Sequence, residues 1–267
     1  MARRSRSPPR EVRAVLLDMD DTLFDHSLTC REAVDLVRRQ TPFLARRSLE
    51  ELWREYMTLL DGPSFIPSLR ALGADALRQQ RWHLLAATCG AELSPSEAAE
   101  LSRTYRRFYQ SVRRAVPGAV ALVRRLHRSA RVGIVTNNEL AEQESKLSFL
   151  GLGDAVDALV VSEEVGQSKP DREIFEVALR ELGVAAEDSV MLGDSWTNDV
   201  LGARGAGIRP VWFNRFSLPR PRGPEARELR SLRPLGLAER LLLGEDRPAA
   251  AGAARSVLSA PPPSERR

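Results

Sequence analysis

Four short strings in this sequence bring together side chains that could handle a phosphoryl group. They are Asp18-Met19-Asp20-Asp21-Thr22, Thr136-Asn137-Asn138, Ser168-Lys169-Pro170, and Gly193-Asp194-Ser195 with Asn198 and Asp199 close behind. Carboxylates crowded together repel, so Asp18, Asp20, Asp194 and Asp199 would need a cation if they met. Hard oxygen donors without nearby His or Cys select Mg2+ over zinc. A lysine and a threonine beside that metal supply the charge and hydrogen-bond donors that phosphoryl oxygens need. A carboxylate can also act as the nucleophile and carry the phosphoryl group as an aspartyl phosphate. Asp18 and Asp20 are two apart and point the same way in extended chain. One could attack phosphorus while the other protonates the departing oxygen and then activates water. Taken singly, the first string could be a turn or helix cap, Asp194 and Asp199 could cap the next helix, and Thr136 could be an ordinary strand-end hydroxyl.

Lys169 has an argument of its own. Of the 40 cationic residues, 38 are Arg and only Lys146 and Lys169 are Lys. A chain that uses arginine almost everywhere has no compositional reason to place lysine here. Lysine offers a compact charge where the guanidinium fork is too wide.

The elements that must position these strings follow from hydrophobic periodicity. Val12–Leu17 is a short, β-branched apolar run ending at Asp18, which predicts a buried strand. From Ser27 to Arg114 the period is helical throughout, with helices expected over Thr29–Gln40, Ser48–Leu60, Ser68–Cys89 and Ser94–Arg113. Ser94 and Glu97 form a capping box at the last of these starts. Beyond it, strands at Val132–Thr136, Ala158–Ser162, Ser189–Leu192 and Pro210–Phe213 alternate with helices at Pro117–Ser129, Glu139–Leu150, Asp171–Leu182 and Thr197–Ala206. Such alternation predicts an α/β fold, a doubly wound parallel sheet covered on both faces. Ligands of such sheets bind beyond the carboxyl ends of the strands, where the four strings lie.

The chain has 267 residues and a formal net charge of +4. That charge sits in the ends. Residues 1–13 hold five Arg and one Glu, and residues 219–267 hold ten Arg and six acids, which leaves 4 − 8 = −4 for the body. Nucleic-acid binding by the folded body is therefore not expected. Two cysteines exclude a disulfide framework, and three dispersed histidines exclude a His-based zinc site. No apolar run reaches membrane-spanning length, so a cytoplasmic location is expected. Residues 1–11 read as a disordered basic lead-in and 218–267 as a mostly disordered Pro/Arg/Ala-rich tail. Within that tail an amphipathic stretch, Ala226–Leu243, could dock as a helix.

Taken together, the strings resemble the haloacid dehalogenase superfamily of phosphohydrolases. The likeness runs from Val12 to Asn214. It is strongest in VSEEVGQSKPDREIFEVAL and MLGDSWTNDVLGARGAGIRPVWFNR, which resemble the bacterial 5′-nucleotidase branch. The resemblance implies a Rossmann-like core with Asp18 as nucleophile and Asp20 as general acid/base. Thr136 and the Asn137 backbone would hold the phosphate, and Lys169 would balance charge on it and on Asp18. Mg2+ would be held by Asp18, the Asp20 main-chain carbonyl, Asp194 and Asp199. Of the intervals between motifs, 115 residues separate Asp20 from Thr136 but only 32 separate Thr136 from Lys169. The long interval matches a helical-bundle cap, residues 27–114, inserted into a core of 12–26 and 115–217.

The expected substrate is a small phosphomonoester. A nucleoside 5′-monophosphate is the first choice, and a sugar or organic-acid phosphate of the N-acylneuraminate 9-phosphate or phosphoglycolate type the second. Phe24, Trp53, Tyr56 and Trp82 could stack on a base or simply pack the helices. A 2-haloacid dehalogenase is disfavoured because those enzymes generally lack an acid at the Asp20 position. A phosphomutase is disfavoured by Asp21 and Thr22 in place of the usual Gly-containing string. A non-catalytic binding or regulatory protein on this fold would keep partners through its tails. The chain is expected to be a monomer or homodimer.

Overall fold

The computed structural model describes residues 11–60 and 73–244. The basic lead-in through Arg10, the start of the helix expected at Ser68 and the tail beyond Gly244 lie outside them.

Six parallel strands form one sheet: β1 (Ala14–Leu17), β2 (Arg131–Thr136), β3 (Ala158–Val161), β4 (Ser189–Gly193), β5 (Arg209–Phe213) and β6 (Arg227–Leu229), in the order β3-β2-β1-β4-β5-β6. All four residues of β1 are buried. Alternation splits them between two apolar layers: Val15 and Leu17 belong to one, Ala14 and Leu16 to the other. A strand buried on both faces is what a near-continuous apolar run predicts. Leu17 pairs with Ile134 on one side and with Leu192 on the other. The carboxyl end of β1 therefore sits at the centre of the sheet's functional edge, where the strand order reverses direction.

Between Asp25 and Arg114 the described residues form five helices: α1 (His26–Gln40), α2 (Pro42–Ala45), α3 (Leu49–Leu60), α4 (Ala74–Thr88) and α5 (Pro95–Ser111). The capping box at α5 forms in both directions, Ser94 accepting from the Glu97 amide and Glu97 from the Ser94 amide. Tyr56, Trp82 and Tyr105 pack as a ring cluster with centroids 5.6–6.0 Å apart. The insert leaves and re-enters the sheet through one doorway. The Asp25 amide donates to Arg114 and the Val116 amide to Leu23, at 3.0 and 2.9 Å.

The remaining helices cover the sheet: α6 (Ala119–Leu126), α7 (Leu140–Leu150), α8 (Ser162–Val165), α9 (Arg172–Leu182), α10 (Gly202–Gly205) and α11 (Leu235–Leu243). Two segments depart from the sequence expectation. The helix expected over Thr197–Ala206 begins as a π-helical turn, Trp196–Leu201, before tightening into α10. The amphipathic stretch Ala226–Leu243 is not one helix. It divides into β6 and α11, because Pro234 has no amide to continue a helix and the open edge of β5 accepts a strand. The ordered chain thus continues well past the expected limit at 217. Leu229, Leu232, Ala238 and Leu242 are buried in the same layer as Val15 and Leu17.

Candidate active site

Asp18 follows β1 directly, and its amide still donates to Leu192 in the neighbouring strand at 2.9 Å. The chain then reverses within six residues. Asp21 adopts φ +61°, a conformation aspartate tolerates better than most residues, and its amide donates to Phe24. The Asp21 carboxylate accepts from the backbone and hydroxyl of Ser27, which ties the turn to the start of α1.

Lys169 lies on the loop between α8 and α9, and its Nζ donates to Asp18 Oδ1 at 2.6 Å and to Asp199 Oδ1 at 2.7 Å. All three side chains are almost completely buried. The lysine is placed by Asn137, whose amide side chain bonds both the Lys169 carbonyl (2.9 Å) and the Lys169 amide (2.8 Å). Asn137 is therefore the side chain that joins the β2 end to the lysine loop.

Asp199 reaches the same point through the π-helical turn. The Val200 amide bonds the Ser195 carbonyl five residues back, widening the turn, and the Ser195 amide donates to Asp199 Oδ2 at 2.9 Å. Gly193 makes room for it, since a Cβ there would lie 2.2 Å from Asp199 Cγ. Asp18, Asp194 and Asp199 each offer an oxygen within 4.8 Å of the others. Burial pushes the Asp18 carboxyl up to about 7, with Asp199 and Asp20 adding to the rise and Lys169 opposing it. Burial, with the charges of Asp18 and Asp199, raises Asp194 well above the ordinary carboxylate range. Three carboxylates sharing one lysine are short of positive charge, and their donors are all hard oxygens. The residues present fit a divalent cation of the Mg2+ type.

Asp20 does not join that cluster through its carboxylate. Its oxygens accept from Lys146 Nζ at 2.7 and 2.9 Å and from Gln143 Nε2 at 3.2 Å, both on α7, and His26 Nδ1 lies 3.7 Å away. Burial alone would raise this acid, but the charges of Lys146 and His26 outweigh it and hold Asp20 at about 2. Lys146 has no exposed surface and stands 5.4 Å over the Phe24 ring.

The expected residues Asp18, Asp20, Thr136, Asn137, Lys169, Asp194 and Asp199 all line one cleft of about 810 Å³. Gln143, Lys146 and His26 were not expected from the sequence as part of the arrangement. The rarity of lysine singled out Lys146 as much as Lys169, and its spacing from Gln143 places both on one face of a helix. Of the rings considered for base stacking, Phe24, Trp53 and Trp82 line no part of the cleft, and Phe24, Tyr56 and Trp82 are buried.

Residues 12–207 match the family described as hydrolase: haloacid dehalogenase-like hydrolase. The chain is 33% identical over 264 residues to a phosphoserine phosphatase of Thermus thermophilus, an alignment covering 86% of this chain and all of that one. It is 40% identical over 109 residues to the pyrimidine 5′-nucleotidase YjjG of Escherichia coli, covering 40% of this chain and 48% of that protein. Among solved structures, the magnesium-bound HAD-hydrolase YfnB of Bacillus subtilis superposes with a TM-score of 0.69 at 26% identity, over 87% of this chain and 99% of that one.

Proposed function

This chain belongs to the haloacid dehalogenase-like hydrolases, and we propose that within that family it is a magnesium-dependent phosphomonoesterase working through an aspartyl phosphate. The observation that carries this reading is Lys169, bonded at once to Asp18 and Asp199 at the mouth of the sheet. Asp18 is the nucleophile: its carboxylate oxygen bonds to phosphorus as the ester P–O bond breaks. Asp20 gives its proton to the leaving oxygen, then takes one from the water that attacks phosphorus, and the Asp18–phosphorus bond breaks to release inorganic phosphate. In this structure Asp20 is held against α7 as a carboxylate, the form that acts as base. Its acid half requires a proton and a turn away from Lys146 toward the leaving oxygen.

Thr136 and the Asn137 backbone N–H bind the phosphoryl oxygens, and Lys169 neutralises charge on them and on Asp18. The metal would be held by Asp18, Asp194 and Asp199, with the Asp20 main-chain carbonyl. Bound there, Mg2+ would screen the carboxylates from one another and withdraw charge from the phosphoryl group. Helices α1 to α5 act as a cap that selects the ester.

Two ester classes are supported. Nucleoside 5′-monophosphates follow from the likeness to YjjG, and small organic-acid phosphates follow from the likeness to the Thermus phosphoserine phosphatase. The test is phosphate release from a panel of both classes and sugar phosphates, with Mg2+ and with EDTA. Release with Mg2+ that EDTA abolishes and Asp18→Asn eliminates is the expected result. Release unaffected by EDTA, or surviving in Asp18→Asn, refutes the mechanism.

A further inference from the structure

A second cavity, of about 90 Å³, opens between α4, α5 and α7 beside the cleft, and His26 and Asn138 line both. It has room for several waters, or for a small polar group in their place. Its walls carry five Arg or Lys side chains and a single acid, Glu142. Four of those cations are balanced within the protein. Lys146 is paired with Asp20, Arg78 with Glu139 at 3.8 Å and with Asp75, Arg106 with Asp75, and Arg113 faces Glu142 at 3.9 Å.

Arg81, on α4, is the exception. It is 7% exposed, yet no carboxylate among the described residues pairs with it. Its Nη1 donates to Tyr56 Oη at 3.3 Å, its guanidinium lies 5.3 Å over the Tyr56 ring, and its Nε has no hydrogen-bond partner. A guanidinium keeps its proton in any protein environment, so burial cannot neutralise it as it can a lysine. A buried cation on a cavity wall, without its own anion, is balanced when an anion enters that cavity.

We propose that Arg81 binds a second anionic group of the substrate, so that the ester carries a carboxylate or a second phosphate besides the phosphoryl group being cleaved. This rests on the phosphatase reading above and selects within it. An uncharged nucleobase leaves Arg81 unbalanced.

The decisive pair of esters is 3-phosphoglycerate and glycerol 3-phosphate, which differ only by a carboxylate in place of a hydroxymethyl group. Glycerol 1,3-bisphosphate tests a second phosphate, and uridine 5′-monophosphate tests the nucleoside class. A charged ester should exceed glycerol 3-phosphate in kcat/KM by about 10- to 100-fold, the range of a hydrogen bond to a charged group. Whether 3-phosphoglycerate or the bisphosphate shows the larger excess identifies the anion. In Arg81→Met the ratio should fall toward one through a rise in KM for the charged ester, and Arg81→Lys should keep part of it. Equal kcat/KM for charged and neutral esters, a preference for uridine 5′-monophosphate, or a ratio unchanged in Arg81→Met overturns the proposal. Should Arg81→Met not fold, the wild-type ratio and Arg81→Lys decide. If no ester is hydrolysed, the phosphatase reading fails separately. Calorimetric binding of the same pair to Asp18→Asn, with and without Arg81→Lys, then decides the anion site.

Discussion

Replacing Lys146 by Met keeps the length of the side chain and removes its charge. The amine sits 2.7 and 2.9 Å from the two Asp20 oxygens, with no exposed surface of its own. Asp20 is held at about 2 against an ordinary 3.8, which corresponds to about 2 kcal/mol of native stability at neutral pH. Because the folded value is the lower one, this contribution is complete above the unfolded value and is lost as pH falls through about 2. Lys146→Met should therefore be less stable than wild type by about 2 kcal/mol at pH 7, and the deficit should shrink as pH is lowered from 4 toward 2. Urea denaturation at a series of pH values measures it. If the two stability curves stay parallel down to pH 2.5, the lysine contributes packing rather than charge and the reasoning fails.

Lys169→Met and Asp194→Ala should each reduce phosphate release by at least about 100-fold, and near-wild-type turnover in either would break the site assignment. Gly193→Ala should cost about 3 kcal/mol and weaken Mg2+ binding, because the new methyl group meets an Asp199 side chain already fixed by Lys169 and Ser195. Calorimetric Mg2+ titration and thermal melting together report on it. Truncation after Ala226 removes β6 and α11, uncovers the edge of β5, and takes Leu229, Leu232 and Leu242 from the core. The loss should be about 5 kcal/mol or more, seen as a lower Tm and aggregation.

The sequence was most legible where local and long-range signals agree. Each strand that delivers a site residue is a buried, largely apolar run, and burial on both faces leaves such a run only one place in a layered sheet. The C-terminal portion was harder to read. Arg227–Leu229 is too short to show a period, and only the exposed edge of β5 makes it a strand. The π-helical turn was hidden for a similar reason: its widening serves Asp199 beneath Gly193, and no spacing in the sequence records that approach. Lys169 was legible because a rare lysine falls in a loop that follows a strand. Lys146 has the same rarity, but it lies inside an ordinary amphipathic helix, and its partner is 126 residues away.

The two lysines have a practical consequence for handling the protein. They are 4% and 0% exposed, and the other 38 cationic side chains are arginines. Apart from the α-amine, the folded chain therefore presents no accessible primary amine. Amine-directed reagents such as succinimidyl esters or formaldehyde-based methylation should label it at a single terminal position and spare the site. Labelling at Lys146 or Lys169 then becomes a direct report of opening at the cleft.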